Sequence, residues 1–397
     1  MKAGWEWRPL GEVCKTGSGA TPLKTSKEFY EGGSIPWLLS GEVAQGEITE
    51  SKNFITEVGL KNSAAKLFPV NSVLIAMYGA TAGQVGILRF PASTNQAICA
   101  ILPNPRFVPE FLFYVFLHLK DELIATATGN AQPNISQIKI KNTVIPIPPL
   151  DEQRRIVAVL DKAFAGIANA TANAHKNLTN ARALFDSYTS EAFGQLNETA
   201  TARPSLEALT DDKSGITYGV VKPGDVGSIP FVRGGDLIGG EVRLNKLRTI
   251  TSAVSEQYSR TLLRGGELLM CLVGVPGQCA IAPNELAGAN IARQVGLIRL
   301  KPEVNAEYVK DYLQSPVGQT ALGTFTGGSV QQVINLGDLR QVVVPLPERS
   351  KQDEMVKRIA GAKSLSSDLA RKFDKKLSAL TELKQSLLQK AFAGELT

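Results

Sequence analysis

The chain has 397 residues, enough for two or three domains, with the 43% hydrophobic and 20% charged content of an ordinary globular protein. Its formal net charge of +6 favours a polyanionic partner without specifying one. Four scattered cysteines (Cys14, Cys99, Cys271, Cys279) and two histidines (His118, His175) form no C-x-x-C pair. That argues against a structural zinc site and suits a reducing cytoplasm. The segment from Met1 to Trp7 has no apolar signal core. The most apolar run, Phe111 to Leu119, is far too short for a membrane span and reads as a buried helix.

In chain order, Ser72 to Ala76 and Ala97 to Leu102 are short apolar runs that read as strands. Pro109 to Leu123 reads as one helix with proline at its start. Val144-Ile145-Pro146-Ile147-Pro148-Pro149 then leads into Asp151-Glu152-Gln153 and a long helical pattern. Its apolar positions are Ile156, Leu160, Ala163, Ile167, Ala170, Ala174, Leu178, Ala181, Phe185, Tyr188 and Ala192. The steps of 3 and 4 make a heptad seam with one stutter between Ala174 and Leu178. Asn197 to Pro204 reads as a linker.

The same elements then recur. Glu267 to Cys271 and Val295 to Leu300 read as strands, and Ala306 to Leu313 as a helix. Val343-Val344-Pro345-Leu346-Pro347 leads into Lys351-Gln352-Asp353 and a second long pattern. Its apolar positions are Met355, Ile359, Ala362, Leu365, Leu369, Phe373, Leu377, Leu380, Leu383, Leu387 and Ala391, less regularly spaced. Pro146 matches Pro345 and Gln153 matches Gln352, both at an offset of 199 (345 − 146; 352 − 153). Ile35-Pro36-Trp37 matches Ile229-Pro230-Phe231 at 194 (229 − 35), and Ala192-Phe193 matches Ala391-Phe392 at 199 (391 − 192). An ordered series of this kind signals an internal duplication. Strands are many and βαβ alternation is absent, so the fold class is α+β. Each long helix covers roughly 40 residues, about 60 Å. Either the two pair with each other or each packs on its own domain; the stripes favour pairing, antiparallel if an approximate twofold axis crosses them.

Catalytic signatures are missing: no G-x-x-x-x-G-K-[ST] loop, no G-x-S-x-G elbow, no H-E-x-x-H and no amino-methyltransferase tetrapeptide. Tyr78 to Gly86 and Gly274 to Gln278 are glycine-rich turns at equivalent places. They suit either a close approach to a ligand or a plain hairpin. Amides and hydroxyls concentrate at Thr128 to Gln137 and again at Thr326 to Gln332. Asn and Gln can bond adenine bidentately and Arg can do so with guanine, while lysines and hydroxyls serve phosphates.

The doubled proline motif before a long helix resembles the specificity subunit of type I restriction–modification systems. So do Ile35-Pro36-Trp37, the strand ending in Tyr78-Gly79-Ala80-Thr81-Ala82-Gly83, and Asn134-Ile135-Ser136 ahead of the proline stretch. The resemblance spans the chain and implies two target recognition domains, residues 1–150 and 202–350, separated by helical regions 151–201 and 351–397. It implies a non-catalytic cytoplasmic subunit that binds double-stranded DNA and two methyltransferase subunits, and through them restriction subunits. S-adenosylmethionine, ATP and Mg would sit on those partners, with no cofactor or metal here. Each domain would read one half of a bipartite, asymmetric target, and the helices would set the gap. Candidate DNA contacts are Thr21, Lys24, Tyr78, Thr81, Asn95, Gln96, Gln132, Asn134, Ser136, Lys139 and Lys141 in the first half. In the second half they are Thr217, Tyr218, Lys222, Arg233, Arg293, Gln294, Ser329, Gln331 and Gln332. Candidate helix-pairing residues are Ile156, Leu160, Ala163, Ile167, Ala174, Phe185, Ile359, Leu369, Phe373, Leu380 and Leu387. The chain departs from the pattern at Glu348 to Gln352, and at Gln84 and Gln278, where a basic residue is usual. Two other classes remain open: a nucleotide-binding enzyme using the glycine turns, and a coiled-coil scaffold that reads no DNA.

Overall fold

The computed structural model describes residues 4–125, 134–211, 215–323 and 333–396. The chain divides into two compact units, Met1–Ala174 with Lys375–Thr397, and His175–Asp374. In the first unit a five-stranded sheet runs in the order Thr16–Ser18, Ile98–Ile101, Val73–Ala76, Val85–Leu88 and Glu47–Ile48. A four-stranded sheet runs in the order Phe54–Ile55, Ile35–Leu38, Ala92–Thr94 and Leu67–Phe68. The second unit repeats this plan. One sheet is ordered Ile216–Tyr218, Val295–Ile298, Leu268–Cys271 and Cys279–Ile281; another is ordered Arg248–Ile250, Ile229–Val232 and Asn290–Ile291. The fold class is α+β, as the missing βαβ alternation implies.

The duplication extends to backbone geometry. Ile35 pairs with Ile55 as Ile229 pairs with Ile250, and the parallel pair Trp37–Ser93 recurs as Phe231–Asn290. A pair of glycines adds a correspondence at an offset of 200 (219 − 19). A Cβ on Gly19 would lie 1.8 Å from the Thr94 carbonyl oxygen, and one on Gly219 would lie 1.8 Å from that of Ile291. No side chain can stand where these strands cross, so both copies carry glycine.

The proline motif forms a strand, Val144–Ile147, antiparallel to Glu6–Pro9. It ends at a buried glutamine. Gln153 accepts from the Val108 backbone N–H at 2.9 Å and donates to the carbonyls of Arg106 and Pro148, both at 2.9 Å. Gln352 does the same work in the second unit. It accepts from the Asn305 N–H at 2.8 Å and donates to the Pro347 carbonyl at 2.9 Å. An amide offers donors and an acceptor on one short stem, which lets a single side chain satisfy backbone groups of two segments. The segments joined are the entry to helix Pro109–His118 (Ala306–Gln314 in the second unit) and the exit of the proline strand.

From that clamp the long helices run as Leu150–Thr199 and Arg349–Ala393, 50 and 45 residues against the roughly 40 expected. Each unit's core takes the start of one and the end of the other. In the first unit Ile156 and Leu160 pack in the same core as Leu388, Ala391 and Phe392, and Phe392 meets Phe111 edge-on at 5.6 Å. In the second, Phe193 lies 5.8 Å from Tyr308 and 5.4 Å from Tyr312, in the core that also buries Ile359. The helices therefore run antiparallel within each unit. The first unit adds Lys384 Nζ over the Phe164 ring at 4.9 Å, and the second adds Ser366 Oγ donating to the Ala181 carbonyl at 2.7 Å.

Of the pairing candidates, Ile156, Leu160, Ala174 and Ile359 are buried. Ala163, Ile167, Phe185, Leu369, Phe373, Leu380 and Leu387 are half-buried. Leu365 and Leu383 belong to the second stripe by hydrophobicity but are 58% and 47% exposed. Adding 199 to every seam position of the first helix explains why. The second seam reads Met355, Ile359, Ala362, Ser366, Leu369, Phe373, Leu377, Leu380, Lys384, Leu387 and Ala391. All of these places except Lys384 are buried or half-buried, and the shifted stutter falls between Phe373 and Leu377 (373 − 174 = 199). At two of these places Ser366 makes a backbone hydrogen bond and the exposed Lys384 sets its ammonium over a ring, so neighbouring leucines obscure the period.

Two further expectations are corrected. Pro109 to Leu123 is two helices, Pro109–His118 and Lys120–Ala125, because Leu119 closes the first. Asn197 to Pro204 is no free linker: the helix runs to Thr199, and the carbonyls of Ala202 and Pro204 accept from the N–H groups of Leu346 and Val344. Ala202 to Ser205 thus meets the second proline segment as Glu6–Pro9 meets the first.

Gln153→Ala strands one backbone donor and two carbonyls. At about 1–3 kcal/mol for each buried polar group left unmet, a destabilisation of about 3 kcal/mol is expected in urea unfolding of the full chain. A change below about 0.5 kcal/mol, the range of an ordinary surface substitution, contradicts the clamp.

Candidate nucleic-acid interface

Each unit builds one corner where four chain segments meet at the ends of its central strands. In the first unit the Met77 N–H donates to the Ala97 carbonyl at 2.8 Å, and the Ile135 N–H donates to the Met77 carbonyl at 2.8 Å. Tyr78 bridges to Asn134. Thr21 comes in from the fourth segment, its hydroxyl donating to Gln96 Oε1 at 2.5 Å. Four of the candidates, Thr21, Tyr78, Gln96 and Asn134, are thus gathered at one place. Tyr78, Gln96 and Asn134 are exposed, so the corner presents a phenol and two amides to solvent. Thr81 sits in the adjoining turn, its hydroxyl on the Tyr78 carbonyl at 3.3 Å.

Other candidates have structural work. Asn95 accepts from the Ala97 N–H at 3.1 Å and shapes the turn that presents Gln96. Ser136 caps helix Gln137–Asn142, accepting from the Lys139 N–H at 3.3 Å. Lys139 lines a separate cavity with Trp7, Leu119 and Glu122, and no corner side chain shares it. Lys141 is exposed on the same helix, with its stem against Gly11. Lys24 is exposed in the loop after Pro22. Gln132 lies outside the described residues.

The second corner has the same frame. The Leu272 N–H donates to the Gln294 carbonyl at 2.8 Å, the Ile334 N–H donates to the Leu272 carbonyl at 2.9 Å, and Val273 bridges to Val333. The fourth segment is tied by the Arg293 N–H donating to the Val220 carbonyl at 2.9 Å. Here the side chains enclose a concave surface. Tyr218, Arg293 and Asn335 line a cavity of about 380 Å³, and Arg233, Arg248, Arg293 and Gln294 line one of about 450 Å³. Val221, Val273 and Arg293 border both, so the two adjoin. Arg233 is neutralised in place by Asp236, with Nε and Nη2 donating at 3.1 and 3.0 Å. Lys222 is exposed beside Val221, and Thr217 is half-buried in its strand opposite Leu297. Ser329, Gln331 and Gln332 lie outside the described residues.

Two corner residues carry no clear signal in the sequence. Arg248 is 45 positions from Arg293 (293 − 248), in no motif, and reaches the corner only through the strand register that sets it opposite Phe231. Extending the repeat at offset 195 aligns it with Asn53 (248 − 53) and would have singled it out. Asn335 aligns with Ser136 at 199 (335 − 136), but the match is masked because its neighbours Leu336 and Gly337 differ from Gln137 and Ile138.

The glycine turns close hairpins. Gly79 and Gly83 have φ of 70° and 78° between antiparallel strands Val73–Ala76 and Val85–Leu88, and Gly274 and Gly277 have φ of 99° and 86° between Leu268–Cys271 and Cys279–Ile281. The cysteines are buried; burial pushes the Cys14 thiol up to about 11 and that of Cys99 to about 12, so both stay protonated. Among the described residues no His, Cys, Asp and Glu cluster could hold a metal, and no helix is long and apolar enough to cross a membrane.

A family model described as the type I restriction modification DNA specificity domain matches residues 2–178. The type I restriction enzyme EcoBI specificity subunit of Escherichia coli is 27% identical over 339 residues, covering 77% of this chain and 70% of that protein. The EcoKI specificity subunit of Escherichia coli strain K12 is 25% identical over 427 residues, covering 100% and 90%. Among solved structures, a chain from a study of complex assembly and conformational transition in the type I R-M system superposes with a TM-score of 0.77 at 21% identity. It covers 99% of each chain. The HsdS subunit of Thermoanaerobacter tengcongensis gives 0.61 at 20% identity, covering 99% and 97%.

Proposed function

We propose that the chain is a specificity subunit of a type I restriction–modification system, the non-catalytic DNA-recognition subunit of such an enzyme. Residues 1–150 and 202–350 are the two readers. Each meets one half of a bipartite target on double-stranded DNA, and the long helices set the gap and dock two methyltransferase subunits. Restriction subunits join through those partners, which also carry S-adenosylmethionine, ATP and Mg. The complex works in the cytoplasm.

The observation that carries this reading is the doubled corner. One backbone frame holds Tyr78, Gln96 and Asn134 in one unit and Tyr218, Arg293 and Asn335 in the other. A duplicated frame with unlike side chains suits two unlike half-sites. Exposed amides fit base edges that need a donor and an acceptor together, as adenine does in the major groove, while guanidinium fits guanine. Basic side chains such as Lys24, Lys139, Lys141 and Lys222 supply phosphate contacts, which position the duplex without reading it.

Three outcomes are expected of the chain assembled with its methyltransferase subunits. Gln96→Ala or Asn134→Ala should relax base preference in one half-site only, by about 1–3 kcal/mol at the base concerned, as read by methylation of a randomised target. An unaltered methylation motif would remove those two residues from the interface. Lys139→Ala with Lys141→Ala should weaken binding evenly across sequences and flatten the plot of log affinity against log salt by about 0.9 for each phosphate no longer neutralised. An unchanged slope excludes both lysines. Inserting about one helical turn, four residues, into the seam between Ile156 and Ala192 should lengthen the gap between methylated half-sites. A constant gap rejects the helices as the ruler.

A further inference from the structure

We infer that the two corners hold DNA by different chemistry: the second through the free guanidinium groups of Arg248 and Arg293, the first through neutral amides at the same registers. The inference rests on the reading that these corners face DNA and adds a division of labour between them.

Strand register fixes which residues correspond. Ile229–Ile250 and Ile35–Ile55 are equivalent pairs, so Arg248, opposite Phe231, stands where Asn53 stands beside Trp37. Phe231–Asn290 and Trp37–Ser93 are equivalent too, so Arg293 stands where Gln96 does. The third position pairs Arg233 with Leu39. Both N–H groups donate at 2.8 Å to a carboxylate three residues on, Asp236 in one case and Glu42 in the other. Backbone and capping carboxylate are the same in the two copies, and only the side chains differ.

Charge at these registers is therefore three arginines against a leucine, an asparagine and a glutamine. Asp236 cancels Arg233. Arg248 and Arg293 are exposed, and among the described residues neither has an ion-pair partner. In the first corner Glu42 turns inward, to the Lys52 N–H at 2.9 Å and the Asn53 amide at 3.4 Å, and leaves Asn53 neutral and tethered. A guanidinium exposed on a concave wall has two partners on a duplex, a phosphate or the O6/N7 edge of guanine. An amide adds nothing to the counterion-release term that makes DNA affinity depend on salt.

The test uses the full chain assembled with its methyltransferase subunits on DNA bearing its methylation target. Arg248→Ala with Arg293→Ala should reduce the slope of log affinity against log salt by about 1.8, two phosphates at about 0.9 each. If one arginine reads guanine, the slope falls by about half of that and preference relaxes at one position of the second half-site. Lysine at both positions restores the slope in the phosphate case but not the guanine preference. Asn53→Ala with Gln96→Ala should leave the slope unchanged. The inference fails if the arginine double variant keeps both slope and motif, or if the Asn53/Gln96 variant lowers the slope equally. A failure of the alanine variant to assemble is told apart from weakened DNA binding by the lysine variant, which keeps the stems and the charge. A wild-type complex with no preference for the target would overturn the DNA reading itself, and with it this inference.

Discussion

A buried amide sets the geometry on which both units depend. Gln153 reaches a helix entry and the end of the proline strand at once, and Gln352 repeats the arrangement 199 residues later. The segments that adjoin each long helix carry backbone groups of their own, the Val108 N–H and the Arg106 and Pro148 carbonyls in the first unit. Anchoring these by one side chain fixes where the long helix leaves the unit and in which direction. The prolines ahead of it hold the strand extended and end at the helix start. Aromatic contacts then weld the far end of the other helix into the same core, Phe392 on Phe111 in one unit and Phe193 between Tyr308 and Tyr312 in the other.

The two seams follow from that anchoring. Shifted by 199, the first seam falls on buried or half-buried residues everywhere except Lys384, although one seam is rich in alanine and the other in leucine. Small residues facing large ones allow close approach with filled space. Where the seam holds Ser366 or Lys384, hydrogen bonding to a backbone carbonyl or an ammonium over a ring replaces aliphatic packing. Burial along the second seam therefore follows the first more closely than hydrophobicity does.

Much of the fold was legible because it rests on local pattern: the strands around Val73 and Leu268, the first seam and the first proline strand. What was hidden depends on non-local register. Gly19 and Gly219 look like ordinary loop glycines until the crossing carbonyls are in place. The stretch before Pro204 is tied by backbone hydrogen bonds because its partner, Val343 to Leu346, lies 140 residues on (344 − 204). At the corners, Tyr78, Gln96 and Asn134 could be named because motifs surround them. Arg248 could not, since only pairing with Phe231 brings it beside Arg293. Residues such as Asn95 and Ser136 show the opposite limit: their types suit base reading, yet turns and caps employ them.

One frame built twice, with side chains that no longer match, predicts a target made of two unlike parts. The most direct measurement is methylation mapping of DNA from cells that carry this chain with the methyltransferase subunits proposed as its partners. The predicted result is a single motif of two different half-sites separated by a constant unspecified gap. A continuous motif, or a palindrome with identical halves, would contradict it.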